Sequence, residues 1–333
     1  MKAAPIVAAA VVAVAIVTVL AYSNRTQTGS DLAESAPGGN RVDVRVRAVP
    51  LDARDPTRTR VGRFHYVSGL ELEGVNTDRL HGLSDLRVRP DGRLLAVSDL
   101  GSLLEARLDL DASDRLHGLS DVRLSPLADT NGRAMLDKQR ADAEGLAVFP
   151  NDDRLVSFER DHRIWMYSSK GGPPVREVPK PDVRGLPSNE GLEALTVYPA
   201  AGQDAYVVGA EDGRLWLCHL ASQCESMPAR ALPGPGFGLS AVASYPPTGL
   251  ALLYRAYDAL RGQRVVLRLI DRPLMAGSET ADELVLEPPL TIDNFEGVAI
   301  VGDSDRMFRV YLLSDDNASK QQHTYLLVFD WQR

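Results

Sequence analysis

Short runs of apolar and β-branched residues dominate the chain after residue 60. They are five to eight residues long, as in RLLAVSD, DAYVVGA and TYLLVFDW, and turn-forming stretches such as PDG, PNDD and EDG separate them. No long segment after residue 23 shows the 3.6-residue periodicity of an amphipathic helix. This pattern predicts an all-β fold, built as a sandwich, a barrel or a propeller.

A degenerate repeat favours the β-propeller. Five segments share the order x-Gly-apolar, short strand, turn, second strand. Their glycines follow one another at steps of 63, 46, 47 and 59 residues, which is blade length with insertions in two steps. Residues 59–333 accommodate five or six blades of about 40–50 residues each, and we favour six. The five glycines are Gly82, Gly145, Gly191, Gly238 and Gly297.

An exact repeat does not follow this series. The octapeptide DRLHGLSD occurs at residues 78–85 and again at 114–121. The second copy places Gly118 only 36 residues after Gly82, and no second strand follows it. We therefore predict that the first copy begins the first blade and that the second copy is an outer strand of the same blade. Residues 60–72 are available to close the propeller beside the last strand.

The first 23 residues are almost entirely apolar, and they predict an N-terminal apolar helix. Two interpretations remain open: a cleaved signal peptide with its site at residues 21–23, or a transmembrane anchor over residues 3–22. In both cases the body is exported, to the periplasm or out of the cell, and it contacts the membrane only through this segment. We assign residues 24–58 to a flexible linker, although VDVRVRAV within it alternates as a strand does.

The charge balance limits the choice of partner. The chain has 37 basic and 45 acidic residues, a formal net charge of −8, and no long run of Lys or Arg. Such a chain is a poor candidate for binding nucleic acid. We expect a monomer that acts on a small anionic or ester substrate.

Two cysteines lie close together in CHLASQC, at Cys218 and Cys224. In an oxidising compartment this pair can form a disulfide across a short turn. Two free or buried thiols are the alternative. The pair is a weak metal motif, because no second pair of Cys or His accompanies it.

Carboxylates recur at one phase of the repeat. The residue before the glycine is acidic in three of the five segments, at Glu144, Glu190 and Glu296. In a propeller the strand that follows lines the central channel, so these side chains are expected at the channel mouth. Converging carboxylates repel one another unless a cation offsets their charge, and Ca²⁺ fits an all-oxygen site best. A turn acid that bonds backbone N–H groups is the alternative for any one of them. Other acids expected near this opening are Asp99, Asp142, Glu159, Glu193, Asp315 and Asp316.

Basic partners for an anionic substrate are few. In FERDHRIW, either Arg160 or Arg163 can hold a phosphate bidentately. Lys320 and His323 share the loop after YLLSDDN, and His323 is a candidate base. His81 stands before Gly82 and is expected at the rim of the site. The chain has no G-x-S-x-G, Walker, GxGxxG or HExxH motif.

The acidic segments resemble a known family. DAEGLAV, SFERDHRIWMY, SNEGLEAL, NFEGVAI and YLLSDDN, followed by TYLLVFDW, are similar to the bacterial exported phytase-like domain, "esterase-like activity of phytase", over roughly residues 60–331. The resemblance implies hydrolysis of a phosphoester or ester at a site built from Glu and Asp. Phe237 departs from the pattern, because an acid is expected before Gly238. The positions carried over are Asp142, Glu144, Glu159, Glu190, Glu193, Glu296, Asp315 and Asp316.

Two classes of function follow from these observations. The first is a phytase-like hydrolase that uses Ca²⁺ to cleave a phosphoester, with ester or lactone hydrolysis at the same site as a close variant. Its catalytic residues are expected among Glu144, Glu159, Glu190 and Glu296. The second is a non-catalytic propeller that binds a ligand or a protein in the cell envelope.

Overall fold

The computed structural model describes residues 39–184, 191–302 and 306–333. The predicted N-terminal apolar helix, the first part of the predicted linker (residues 24–38) and Glu190 lie outside these ranges. Within the described ranges, no helix is both long enough and apolar enough to cross a bilayer.

The described chain is almost entirely β-strand. The N-terminal strands are β1 (Asn40–Arg41), β2 (Val44–Ala48), β3 (Arg60–Val61) and β4 (Phe64–Gly74). Blade 1 has β5 (Leu83–Val88), β6 (Arg93–Ser98), β7 (Ser102–Leu110) and β8 (Leu116–Pro126), and the short helix α1 (Lys138–Ala141) follows. Blade 2 has β9 (Ala143–Val148), β10 (Arg154–Phe158), β11 (Arg163–Tyr167) and β12 (Arg176–Glu177).

The remaining blades follow the same up-and-down order. Blade 3 has β13 (Ala194–Val197), a 3₁₀ turn (Pro199–Ala201), β14 (Ala205–Gly209), β15 (Leu215–His219) and β16 (Ser222–Ser226). Blade 4 has β17 (Gly238–Tyr245), β18 (Gly249–Asp258), β19 (Gly262–Ile270) and β20 (Asp282–Leu286). Blade 5 has β21 (Asn294–Gly302), β22 (Met307–Asp315) and β23 (Thr324–Gln332).

The sheets form a ring of five blades. Their inner strands pack in the order β5, β9, β13, β17 and β21, and β21 packs back against β5. The prediction of a propeller is confirmed, but the preference for six blades is wrong. The two long steps of the repeat lengthen hairpins instead of adding a blade: β7 and β8 have nine and eleven residues, and β18 and β19 have ten and nine.

The N-terminal strands complete the ring. Strand β4 pairs antiparallel with β23 and thereby supplies blade 5 with its fourth strand, while β2 pairs with the outer side of β4. The predicted closure by residues 60–72 therefore agrees with β3 and β4. Strand β1 pairs with β8 at the edge of blade 1. Residues 40–48, which we had placed in the linker, thus belong to the sheets, because the alternation in VDVRVRAV pairs as strand.

Five hydrophobic cores lie between neighbouring blades, one at each interface. Strands inside a blade alternate between two of them: in β6, Leu94 and Ala96 face blade 5, and Leu95 and Val97 face blade 2. Burial on both faces explains why the strands read as continuous apolar runs. The second octapeptide lies mostly in β8, outside β7, as predicted, and its identity with the first copy does not mark a second blade.

Candidate functional site

A cavity of about 320 Å³ opens at the end of the propeller where the inner strands begin. Every residue that lines it is charged or carries a hydroxyl or amide group, and eight carboxylates face three basic side chains. We call it the axial cavity. Its lining residues are Ser84, Asp99, Lys138, Asp142, Glu144, Glu159, Arg160, Glu193, Glu211, Arg255, Glu296, Asp315 and Asn317.

Two places in the repeat supply these groups: the start of the inner strand, and the second strand with the turn after it. The start of the inner strand supplies side chains such as Glu144 and Glu296, as the sequence predicts. The second strand, or the turn after it, supplies at least one lining residue in every blade, 14 to 20 residues after the motif glycine. From blade 1 to blade 5 these include Asp99, Glu159, Glu211, Arg255 and Asp315.

Blade 4 supplies a counter-charge where the other blades supply acids. Its motif begins with Phe237, which does not line the cavity, and its second strand contributes Arg255. The Arg255 guanidinium lies 3.3 Å from a carboxylate oxygen of Glu296, to which the Asn294 amide donates at 2.7 Å. The Glu296 carboxylate is therefore held in a defined orientation.

Two further basic side chains lie at the opening, and we call them the mouth pair: Lys138 on α1 and Arg160 in the β10–β11 turn. Both bind acids of the cavity. The Arg160 Nε bonds Asp142, and the Lys138 ammonium bonds Asp99 and lies 3.8 Å from Asp142. The side chains of the mouth pair are 39% and 43% exposed, whereas that of Asp142 is 2% exposed, so the pair borders solvent above a buried carboxylate.

Burial makes ionisation of the carboxyls unfavourable. It raises the pKa of Glu144, Glu193 and Asp315 well above the ordinary range, and neighbouring carboxylates add to the shift in each. Burial and then Asp142 raise the pKa of Glu159 to about 7. The neutral forms of these groups are therefore favoured unless a bound cation stabilises their charged forms.

Three of the acids are spaced to share a cation. One carboxylate oxygen from each of Asp142, Glu144 and Glu159 lies within 4.8 Å of the others, and we call these residues the acidic triad. Ligands at the Ca²⁺–oxygen distance of about 2.3–2.6 Å on opposite sides of one ion are separated by a similar length. The Asp99 Oδ1 is buried and has no hydrogen-bond partner within the described chain. The all-oxygen donor set fits a hard divalent cation.

An ion pair at the propeller axis links the inner strands next to the residues that line the cavity. Asp85 follows the lining residue Ser84 on β5, and its carboxylate binds the Arg87 guanidinium at 3.0 Å and accepts from the Leu146 N–H of β9 at 2.9 Å. Arg87 also donates to one carbonyl in each of β13, β17 and β21, those of Leu195, Val242 and Val298. This axial ion pair therefore bonds to every blade. Burial raises the pKa of Asp85 to about 7.

Most of the predicted site residues meet in this cavity. The predicted residues that line it are Asp142, Glu144, Glu159, Arg160, Glu193, Glu296 and Asp315. Asp99, an acid expected near the opening, also lines the cavity, whereas the lining residues not predicted from the sequence are Ser84, Lys138, Glu211, Arg255 and Asn317. Asp99, Glu211 and Arg255 occupy the same place as Glu159 relative to the second strand of their blades. Alignment of the repeats therefore identifies them. No comparable signal marks Lys138, which lies in the irregular connection before β9.

Arg163 and Asp316, two of the predicted residues, do not line the cavity. The Arg163 guanidinium lies over the rings of Phe158 and Trp165, at 4.0 and 4.3 Å, and packs between strands. The Asp316 Oδ2 accepts from the Thr324 hydroxyl at 3.0 Å and bonds the ring of His81 at 2.7 Å. Both side chains are thus committed to packing and hydrogen bonds, because alternation and turn geometry direct them away from the opening.

The predicted substrate-binding residues His81, Lys320 and His323 also lie outside the cavity lining. His81 is oriented by its bond to Asp316. The His323 ring bonds the Glu71 carboxylate at 2.9 Å and stacks on Tyr325, and Lys320 is exposed. A shared loop in sequence does not bring these groups to the carboxylates.

Cys218 and Cys224 form a disulfide across the β15–β16 hairpin. Their bond lies at the outer edge of blade 3, away from the axial cavity. It joins the two outermost strands of that blade and has no contact with the candidate site.

Thermal stability in the absence of divalent cations is expected to fall as the pH rises. The Glu159 pKa is raised from 4.5 to about 7, so its stabilising contribution is fully present below pH 4.5 and is lost as the pH passes through about 7. Asp85 acts in the same direction. Thermal unfolding in EDTA should give a lower Tm at pH 8 than at pH 5, and Glu159→Gln should reduce the difference. An equal or higher Tm at pH 8 contradicts this, and the exposed Glu73→Gln serves as the control.

Comparisons with known proteins give one family match. Residues 78–318 match a family model described as "Phytase-like: Esterase-like activity of phytase". No curated protein gives a significant match. Among solved structures, the β-propeller domain of Cps50 (Swd1) from Myceliophteria thermophila is 12% identical, with a TM-score of 0.35, over 72% of this chain and 68% of that one. A similarity of that size does not support a fold assignment. The propeller is identified from the sheet topology.

Proposed function

The chain belongs to the phytase-like family, whose name indicates a hydrolase, and on this basis we propose that it hydrolyses phosphoesters with a divalent cation, Ca²⁺, held in the axial cavity. The observation that carries the proposal is the convergence of eight carboxylates, several of them buried and hard to ionise, on one cavity. Such a cluster is unfavourable alone and becomes favourable when a cation binds.

The acidic triad is the proposed cation site, because its oxygens are close enough to reach one ion. A cation bound there would offset charge on a phosphoryl group and lower the pKa of a bound water. The mouth pair would bind the non-bridging oxygens of the substrate, since two basic side chains match a dianionic group.

Glu296 is the proposed base. Asn294 and Arg255 orient its carboxylate from two sides, at 2.7 and 3.3 Å, and it lies outside the acidic triad. A base must be held in place to accept a proton from the attacking water, and this pair of contacts provides that restraint. Glu144, which belongs to the acidic triad, is assigned to the cation instead.

The polar lining supports a phosphoester over an ester or lactone. Among the described residues, none that lines the axial cavity is apolar, so an acyl chain or a lactone ring would find no hydrophobic wall there. A phosphorylated polyol would place charged and hydroxyl groups throughout the same space.

We further propose that the protein is exported. The Cys218–Cys224 disulfide supports this, because such bonds persist in oxidising compartments and are rare where thiols are kept reduced.

A substrate panel tests the proposed reaction. Phytate and nitrophenyl phosphate should be hydrolysed with Ca²⁺ and not in EDTA, whereas a nitrophenyl ester and a lactone should not be cleaved. Glu296→Gln should lower kcat by about 100-fold or more, the range of general-base catalysis, while Ca²⁺ still binds. Cleavage of the ester or lactone alone would favour that alternative chemistry. Failure to cleave any of the four would favour a binding protein.

A further inference from the structure

The mouth pair and a bound cation compete for the same carboxylate. Asp142 belongs to the acidic triad, and the Arg160 Nε bonds its Oδ2 while the Lys138 ammonium lies 3.8 Å from its Oδ1. Both of its oxygens therefore already face basic groups. A divalent ion placed against Asp142 would repel two positive charges at close range in a site largely shielded from water.

Lys138 and Arg160 can move away from Asp142 because they contact it through side-chain nitrogen atoms. The side chains of Lys138 and Arg160 are 39% and 43% exposed, so they have open solvent to move into. Their backbones stay at the opening. The Asp137 side chain caps α1 through the Gln139 N–H at 3.1 Å, and the β10–β11 turn is fixed by the bond from the Glu159 N–H to the Asp142 carbonyl at 2.9 Å.

The backbone conformation of Arg160 supports a functional role for its position over Asp142. Its φ is +57°, in the left-handed region that non-glycine residues rarely adopt and that costs free energy. The neighbouring turn is tight, with the Asp161 N–H bonded to the Glu159 carbonyl at 2.5 Å. This conformation directs Glu159 into the acidic triad and Arg160 over Asp142 from consecutive positions.

We propose that Lys138 and Arg160 are resident counter-ions that a divalent cation displaces from Asp142, and that the displaced pair then forms the anion-binding subsite for a phosphoryl group. The inference rests on the proposed function, because it takes the acidic triad as the cation site. Cation and anion then bind with positive coupling, and each increases the affinity for the other by the same factor.

Calorimetry with two probes tests this. The first probe is Ca²⁺ alone. The second is methylphosphonate, which has no ester bond to cleave, titrated with and without Ca²⁺. The wild-type protein should bind methylphosphonate at least about fivefold more tightly in Ca²⁺ than in EDTA, within the usual range of coupling between sites. Lys138→Gln with Arg160→Gln should shift the two affinities in opposite directions. Ca²⁺ should bind more tightly, because its competitors are gone, and methylphosphonate in Ca²⁺ should bind at least about fivefold more weakly.

Opposite changes in the Ca²⁺ and methylphosphonate affinities distinguish this role from a structural one. If both affinities fall together, or if neither changes, the inference is overturned while the cation site stands. If the wild-type protein binds no Ca²⁺, the proposed function fails and the inference with it. Each single substitution should show a smaller effect of the same signs. The matched control is Arg214→Gln, which removes a surface Arg–Asp212 ion pair of 2.7 Å and should change neither affinity.

Discussion

Replacement of Arg87 by Met should lower the free energy of unfolding by about 3–5 kcal/mol, the usual result of leaving one member of a buried ion pair without its partner. The substitution leaves the fully buried Asp85 carboxylate without its counter-charge. It also removes donors to the inner strands of three other blades, at the carbonyls of Leu195, Val242 and Val298. Urea denaturation monitored by tryptophan fluorescence measures the change.

A second variant and a control separate charge burial from loss of packing. Asp85→Asn combined with Arg87→Met should recover part of the stability, because no charge is then buried unpaired. Arg45→Met removes an ion pair with Glu73 in which both side chains are 63% exposed, and it should cost about 0–1 kcal/mol. An Arg87→Met protein as stable as Arg45→Met would show that the axial ion pair does not hold the blades together.

Replacement of Glu144 by Gln should weaken Ca²⁺ binding by at least about 100-fold, since even changes outside the first coordination sphere cost about 10–100-fold in metal affinity. The same change should raise the Tm of the metal-free protein. Burial and the carboxylates of Glu193, Glu296 and Asp142 disfavour the Glu144 charge, so at neutral pH Glu144 either stays charged beside them or takes up a proton on folding. A neutral amide of the same shape avoids both costs.

These opposite effects form the signature of a cation site. Thermal unfolding of Glu144→Gln should give a higher Tm than wild type in EDTA and little further gain in Ca²⁺. Glu73→Gln, at an exposed carboxylate, should behave as wild type in both conditions. A Glu144 variant that is less stable in EDTA and still gains stability from Ca²⁺ would contradict the assignment.

The position of the carboxylates was predictable because one repeat controls both backbone and site. The glycine motif aligns the inner strands, so the acids before it meet at one end of the propeller, as Glu144 and Glu296 do. The same alignment applied to every second strand would have added Glu211 and Arg255, which share the position of Asp99 and Glu159 in the repeat. Arg255 was missed because it lies within an ordinary strand, and only its phase in the repeat distinguishes it.

Other features depend on tertiary contacts that no local pattern encodes. The blade count was wrong because the length of a repeat does not separate a long hairpin from an extra blade. Arg163 was placed in the site because it neighbours Arg160 in sequence, yet its guanidinium packs on two aromatic rings. The two identical octapeptides occupy different places in the fold, and their sequence does not show this. Only the first copy, through Asp85, reaches the propeller axis.

The central claim is that the axial cavity binds a divalent cation, and calorimetric titration of the wild-type protein with Ca²⁺ at pH 7 tests it most directly. We predict saturable binding with a Kd of about 10⁻⁷–10⁻³ M, the range of sensor and extracellular Ca²⁺ sites. Binding should release protons, seen as a heat that depends on the buffer, because carboxyls with raised pKa must ionise. Absence of saturable heat, together with an unchanged Tm in Ca²⁺, would contradict the account.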